Sequence, residues 1–158
     1  MIDPRPILGV DSGMMALIAM PADMSHPAWR ENPKGYIILP YKTGEPLTLV
    51  SAYIYQGYVN MIEFGPGAIG SFTLGADQVL VLSDPCYVLA KGPYTTCCEA
   101  LWNQGHYTKF EFDGGAGVVA TSGYGDGKYE AEVDLDDEGW ISAVYFEFIP
   151  ELNEEDIS

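Results

Sequence analysis

Residues 36–64 read YIILPY-KTGEP-LTLVSAYIY-QG-YVNMIEF, and this stretch alternates short apolar runs with turn-forming residues. The runs 36–41, 47–55 and 58–64 have the length and the β-branched and aromatic content of strands. They are joined by connections of five and two residues, which are typical of antiparallel neighbours. The stretch therefore predicts a three-stranded antiparallel meander.

The C-terminal half repeats this order. The runs there are 117–122, 129–135 and 140–149, with a glycine-rich loop and the turn 136–139 between them. Leu8-Gly9-Val10-Asp11 before the first unit also parallels Leu74-Gly75-Ala76-Asp77 before the second. These similarities predict a weak internal duplication with units of about 7–67 and 73–150. We expect a mostly β, β-rich α+β fold, with two similar meander units packed as one domain over residues 1–158.

One short helix is expected near 96–104. Thr96-Cys97-Cys98-Glu99 matches a capping box, in which a hydroxyl and a carboxylate satisfy free amides of the first turn. Gly105 is placed to end the helix.

The charge balance restricts the partners of this chain. Its 158 residues carry 7 basic and 23 acidic side chains, a formal net charge of −16. Six acidic and four basic residues lie in 1–75, so the excess is concentrated in 76–158. This acidity disfavours direct binding to nucleic acids or anionic membranes. The longest early apolar run, Met14 to Met20, is too short to span a bilayer, so a location in the cytosol is expected.

No residue pattern supports catalysis or metal binding. The three cysteines and two histidines show no zinc or nucleophile spacing, so we expect reduced, buried thiols and no cofactor. Asp134, Asp136 and Glu138 have the spacing of a calcium loop, but its twelfth position is Tyr145 instead of a glutamate. A hairpin turn explains these residues.

Alternation along the strand from Tyr129 places acidic side chains on one side. We call Glu130, Glu132 and Asp134 the acidic face; it continues to Asp136, and the tail 151–158 adds further acidic residues. One interpretation is mimicry of a nucleic-acid backbone toward a basic protein. The other is protection of an exposed strand against edge pairing and aggregation.

The loop Gly123-Tyr124-Gly125-Asp126-Gly127 is a candidate ligand site. Its glycines allow close backbone approach, and Tyr124 and Tyr129 offer stacking surface and hydroxyls. A hairpin loop that needs positive φ angles explains the same composition. The candidate binding residues here are Tyr124, Gly125, Asp126, Gly127 and Tyr129.

Two motifs in order carry a resemblance to a known kind of sequence. They are Asp84-Pro85-Cys86-Tyr87 and Gly123-Tyr124-Gly125-Asp126-Gly127-Lys128-Tyr129, with Tyr94 and Cys98 between them. Over about residues 74–149 the chain resembles an uncharacterised family of small bacteriophage and bacterial proteins, although Glu130 stands where that family has proline. The resemblance implies no catalytic residue, and it makes Asp84 and Tyr87 further candidates for ligand binding.

The setting implied by the resemblance is a non-catalytic protein that counters host defence in the host cytosol. A homo-oligomer that sequesters a nucleotide-like immune signal is the first hypothesis. An acidic inhibitor of a basic host protein or nuclease is the second, and a virion component or a small hydrolase are further alternatives. Because a phosphate ligand needs cations, we expect it near Arg5, Arg30, Lys34 or Lys42, or at a subunit boundary.

Overall fold

A computed structural model describes residues 3–44, 46–55, 58–66, 72–123 and 125–148. The described residues form mostly strands, in two antiparallel sheets with one α-helix, so the predicted β-rich class is confirmed. The strands are β1 (Ile7–Val10), β2 (Met14–Pro21), β3 (Ile37–Leu39), β4 (Pro46–Tyr55), β5 (Tyr58–Pro66), β6 (Phe72–Thr73), β7 (Gln78–Ser83), β8 (Tyr107–Phe112), β9 (Gly115–Thr121), β10 (Gly127–Leu135) and β11 (Ile141–Glu147). A short 3-10 turn covers Pro85–Tyr87, and helix α1 covers Lys91–Gln104.

The two sheets divide the predicted meanders between them. One has the order β1-β10-β11-β5-β4-β6 and the other the order β3-β7-β2-β9-β8. The predicted meanders are therefore wrong in the same place: β3 and β9, the first strand of each, pair in the five-stranded sheet. Each of these strands finds an apolar partner far away in sequence, β3 on β7 and β9 on β2.

The two halves of the chain contribute to the sheets in an equivalent way. If each strand of one half is replaced by its counterpart in the other half, both sheets keep the same strand order when read in the opposite direction. The exchange pairs β1 with β6, β2 with β7, β3 with β9, β4 with β10 and β5 with β11, and it leaves α1 and β8 without a counterpart. The internal duplication itself stays a prediction.

Strand β2 lies at the centre of the molecule because all eight of its residues are buried. Met15 and Leu17 face the six-stranded sheet, where they share a core with Phe64 and Phe146. Ile18 and the other alternate residues face the second core, which includes Cys97 and Leu101 of α1. The fold thus has three layers, sheet on sheet on helix.

Helix α1 begins earlier than predicted. Its N-cap is Ala90, and the hydroxyl of Thr96 donates to the main-chain oxygen of Gly92 inside the helix, so the predicted capping box is wrong. Pro93 is compatible with this start because the first turn needs no amide donor there. Gly105 ends the helix with a φ of +99°, as predicted. No helix in the described part of the chain is long and apolar enough to cross a membrane.

Candidate functional site

Asp84 is a buried carboxylate held by four hydrogen bonds. Its side chain is completely buried at the end of β7. Its Oδ2 accepts hydrogen bonds from the amides of Asp11 and Ser12 at 2.7 and 2.8 Å. Its Oδ1 accepts from the Ser12 hydroxyl at 2.5 Å and from the Cys86 amide at 2.9 Å. Asp84 therefore fixes the β1–β2 turn to the 3-10 turn, and a ligand would meet Ser12 instead of Asp84.

The same turn is tied to the glycine-rich loop. The amide of Ser122 donates to the main-chain oxygen of Gly13 at 2.9 Å, and the Ser122 hydroxyl donates to that of Gly125 at 2.7 Å. Gly13 has a φ of +73°, and a Cβ built on it would lie 4.0 Å from the Cα of Gly125. The structure thus brings the two sequence motifs together on either side of the turn 11–13.

Two of the predicted binding residues use their hydroxyls for hydrogen bonds within the protein. Tyr129 is 8% exposed, donates its hydroxyl to the main-chain oxygen of Gly125 at 2.8 Å and packs edge-on against Phe148. Tyr87 donates to a carboxylate oxygen of Asp11, and a Cβ on Gly35 would lie 2.7 Å from its ring. Through these contacts both tyrosines support the two turns, and their predicted role in ligand binding stays a prediction.

Three further predicted loop residues, Gly125, Asp126 and Gly127, are at least partly accessible to solvent. Asp126 and Gly127 are exposed, and Gly125 is half-buried with a φ of +83°. Tyr124 lies outside the described residues. Whether these residues bind a ligand stays a prediction.

An open cavity of about 400 Å³ lies between the turn 11–14 and helix α1. It is lined by Ser12, Gly13, Met14, Cys98, Leu101, Trp102, Gly105 and Thr121. The indole of Trp102 is 88% exposed. None of these residues is basic or acidic, so the cavity offers an aromatic surface, a hydroxyl-bearing turn and glycine backbone.

Sequence reasoning missed this cavity because its walls are distant in the chain. Ser12 and Gly13 follow a strand and resemble any tight turn, and Trp102 resembles an ordinary helix residue. The usable signal was Asp11-Ser12-Gly13 between two apolar strands, a turn that needs a left-handed glycine.

The thiols of Cys86 and Cys97 are not activated. Burial, a hydrogen bond with Asp84 and the charges of Asp84 and Asp11 raise the pKa of Cys86 to about 12. Burial also raises the pKa of Cys97, and burial together with a hydrogen bond to Cys98 raises the pKa of Tyr94. Because the thiolate is the nucleophilic form, Cys86 and Cys97 are poor nucleophiles near neutral pH.

The basic residues do not converge on the cavity. Arg30 donates to the main-chain oxygen of Cys86 at 2.8 Å, and the Lys34 ammonium lies 5.3 Å from the centre of the Tyr87 ring. Arg5 pairs with Glu130 and Glu132 at 3.2 and 3.6 Å. Lys42 lines a different cavity. Phosphate recognition inside the first cavity therefore has no cationic group among its described lining residues.

The acidic face lies in the interior of a sheet. Glu130, Glu132 and Asp134 are exposed while Tyr129, Ala131 and Val133 are buried. Strand β10 pairs with β11 on one side, and on the other with β1 up to Glu130, after which the amides of Ala131 and Val133 donate to the main-chain oxygens of Pro6 and Pro4. Protection of an open edge therefore does not explain Glu130 and Glu132. Leu135, expected on the buried side, is 37% exposed because the register shifts after Asp134.

Neighbouring strands extend the acidic face. Glu132 lies opposite Tyr145 of β11, which lies opposite Glu63 of β5, and Glu147 follows on β11. Asp136 is exposed in the hairpin turn, where its Oδ1 accepts the amides of Glu138 and Trp140. The acidic tail 151–158 lies outside the described residues.

Comparisons with protein-family models, curated proteins and solved structures gave no match to this chain. The resemblance to small phage proteins therefore stays a prediction. Among the described residues, no group of three His, Cys, Asp or Glu side chains is placed to hold a metal ion.

Proposed function

We propose that this chain is a non-catalytic binding protein whose cavity beside α1 holds a flat, uncharged ring of a small molecule. The observation that carries this proposal is the cavity of about 400 Å³ with the exposed indole of Trp102 in its wall. Small-molecule sites are usually about 300–1,000 Å³ and combine apolar walls with a few polar groups. The hydroxyls of Ser12 and Thr121 supply such groups here.

The ligand class follows from the lining. A nucleobase matches an aromatic wall, because stacking of a base on an aromatic side chain contributes roughly 1–3 kcal/mol. Phosphates gain nothing from a lining without Lys or Arg, so they would point toward solvent. A nucleotide-like molecule bound through its base, and sequestered without being cleaved, is the proposed ligand.

Two features favour binding over turnover. The Cys86 and Cys97 thiols are protonated near neutral pH, and the Asp84 carboxylate is occupied by four hydrogen bonds. In the phage setting of the resemblance, such a protein would remove a host immune signal from solution.

Isothermal titration with nucleosides and their monophosphates tests the proposal. We expect adenosine or another nucleoside to bind about as tightly as its monophosphate. Trp102→Ala should weaken binding roughly fivefold to 150-fold, the equivalent of losing one stacked base. Trp140→Ala removes an exposed tryptophan elsewhere and serves as the control. Equal affinities of wild type and Trp102→Ala, or binding that requires the phosphate, would contradict the proposal.

A second candidate is favoured by the extension of the acidic face. Glu130, Glu132 and Asp134, with Glu63 and Glu147, place five carboxylates along about 13 Å of strand, or about one per 2.7 Å. Duplex DNA carries about one charge per 1.7 Å. A basic host protein could therefore meet a surface with more than half the charge density of DNA, reduced by Arg5.

Pulldown from host extract distinguishes this candidate. Glu130→Gln, Glu132→Gln and Asp134→Asn together should abolish capture of a basic partner. The matched control neutralises three exposed glutamates elsewhere, Glu31→Gln, Glu99→Gln and Glu111→Gln. Equal loss in both triple variants would indicate that only net charge matters, and unchanged capture would reject the acidic face.

A further inference from the structure

A second cavity of about 210 Å³ lies where the segment after β3 meets the β10–β11 hairpin. Among the described residues, the two cavities have no lining residue in common. The side chains that decide its chemistry are Tyr41, Lys42, Asp136, Glu138, Trp140 and Ser142.

The aromatic walls come from well-fixed segments. Tyr41 is 7% exposed and belongs to the main core, and Trp140 is 37% exposed. The amide of Ile141 donates to the main-chain oxygen of Pro40 at 2.6 Å, which docks the segment of Tyr41 onto the hairpin. The amide of Asp136 donates to the main-chain oxygen of Trp140 at 2.7 Å. Two aromatic rings from distant parts of the chain therefore border one preformed cavity.

The carboxylates of the lining keep acceptor capacity. Oδ1 of Asp136 accepts the amides of Glu138 and Trp140, each at 2.9 Å, which fixes the orientation of this side chain. Within the described part of the chain, Oδ2 of Asp136 and the carboxylate of Glu138 make no hydrogen bond or ion pair. Each is exposed and able to accept from a guest.

Lys42 is the single cation among the described lining residues, and it forms no ion pair within 4 Å with either carboxylate. The lining therefore has one more negative than positive charge, and the exposed Asp134 and Asp137 lie beside it in sequence. A negative potential together with aromatic walls repels anions and attracts cations that have an apolar surface.

We infer that this cavity binds an organic ammonium group, the protonated or methylated amine of an alkyl chain. Ammonium ions are attracted to the faces of Trp and Tyr, and aromatic walls are the usual means of recognising methylated ammonium groups. The volume is below that of most sites for drug-sized ligands, which suits a head group on a chain that extends into solvent. The inference stands on the cavity and its aromatic walls, and it does not depend on the nucleobase proposal.

The test is a titration with tetramethylammonium chloride and with a lysine-containing tripeptide, followed by NMR of the Trp140 indole at constant ionic strength. We expect saturable shifts for tetramethylammonium at millimolar concentrations, with sodium chloride giving none. The tripeptide arm tells whether a lysine side chain of a protein is also accepted.

Four variants make the test specific. Trp140→Leu, followed through the amide of Gly139, should weaken binding at least fivefold, and Glu138→Gln should weaken it about threefold. Lys42→Gln should tighten binding twofold or more, because it removes the competing cation. Tyr107→Leu removes an exposed aromatic side chain that lines neither cavity and should leave binding unchanged. Unchanged affinity in Trp140→Leu, weaker binding in Lys42→Gln, or shifts reproduced by sodium chloride would overturn the inference.

Discussion

Replacing Asp84 with Asn tests whether the buried carboxylate organises the candidate site. The carboxylate accepts from three main-chain amides and one hydroxyl, whereas Asn offers one acceptor oxygen and one donor group. In the better orientation, the Asn oxygen faces the amides of Asp11 and Ser12. The Asn NH₂ group then faces the amide of Cys86, which loses its acceptor.

The expected cost can be worked from these contacts. Losing a hydrogen bond to a charged group costs about 1.5–3 kcal/mol, and leaving a buried donor unsatisfied adds about 1–3 kcal/mol. The two retained bonds also become weaker because the acceptor is no longer charged. We expect Asp84→Asn to lower the free energy of unfolding by about 3–5 kcal/mol, a large part of the roughly 5–15 kcal/mol of a typical domain.

Urea unfolding of the variant measures this cost. Asp23→Asn is the control, because Asp23 also accepts a main-chain amide and a hydroxyl, both of Ser25, but is fully exposed. Its midpoint should stay close to that of the wild type. Hydrogen exchange should also speed up at the amides of Asp11 and Ser12 in Asp84→Asn. Equal midpoints of the two variants, with unchanged exchange at residues 11 and 12, would refute the organising role of Asp84.

Three further predictions concern the turn and the thiols. Gly13→Ala should lower the free energy of unfolding by about 1–2 kcal/mol, because the φ of Gly13, +73°, lies in the left-handed region. Gly92→Ala, where a Cβ would enter open space on α1, should raise the free energy of unfolding by up to about 1 kcal/mol. Thermal melts of the two variants measure this difference. The rate of alkylation of Cys86 by iodoacetamide should rise about tenfold per pH unit from pH 7 to 10 without a plateau, because burial raises the pKa of this thiol to about 12. A plateau near pH 9 would contradict the raised pKa. A thiol whose pKa is higher in the folded than in the unfolded protein binds its proton more tightly in the folded state. The stability that Cys86 contributes in this way is fully present below the ordinary pKa of 9.0 and is lost as the pH rises toward 12. Cys86→Ala should therefore reduce the loss of stability at alkaline pH in urea titrations.

The parts of the fold that are set by residues close together in the sequence could be predicted. The hairpin of β10 and β11 follows from alternation and from the turn at Gly139, and Gly105 ends the helix where a left-handed residue is available. Long-range pairing was not predictable. Ile37–Leu39 has the composition of a strand that pairs with its successor, yet it aligns with Leu80–Leu82 as an edge strand of the five-stranded sheet.

In the candidate site, too, the local motifs could be predicted from the sequence and the long-range contacts could not. Asp84 and the glycine loop stand out as motifs, but their roles depend on Ser12 and Ser122, which bring the motifs together through contacts across the chain. Trp102 lines the cavity only because α1 places it opposite the turn 11–14. A single sequence holds no signal for such proximity, since the residues that meet are about 90 positions apart.

We propose above that the cavity beside Trp102 retains a ring-containing small molecule intact. The most direct measurement is mass spectrometry of the compounds released by heat from wild-type and Trp102→Ala protein after incubation with the same cell extract. The wild type should release an intact nucleotide-like compound, and Trp102→Ala should release at least about fivefold less. Equal amounts from both proteins, a cleaved product, or no retained compound would contradict this proposal.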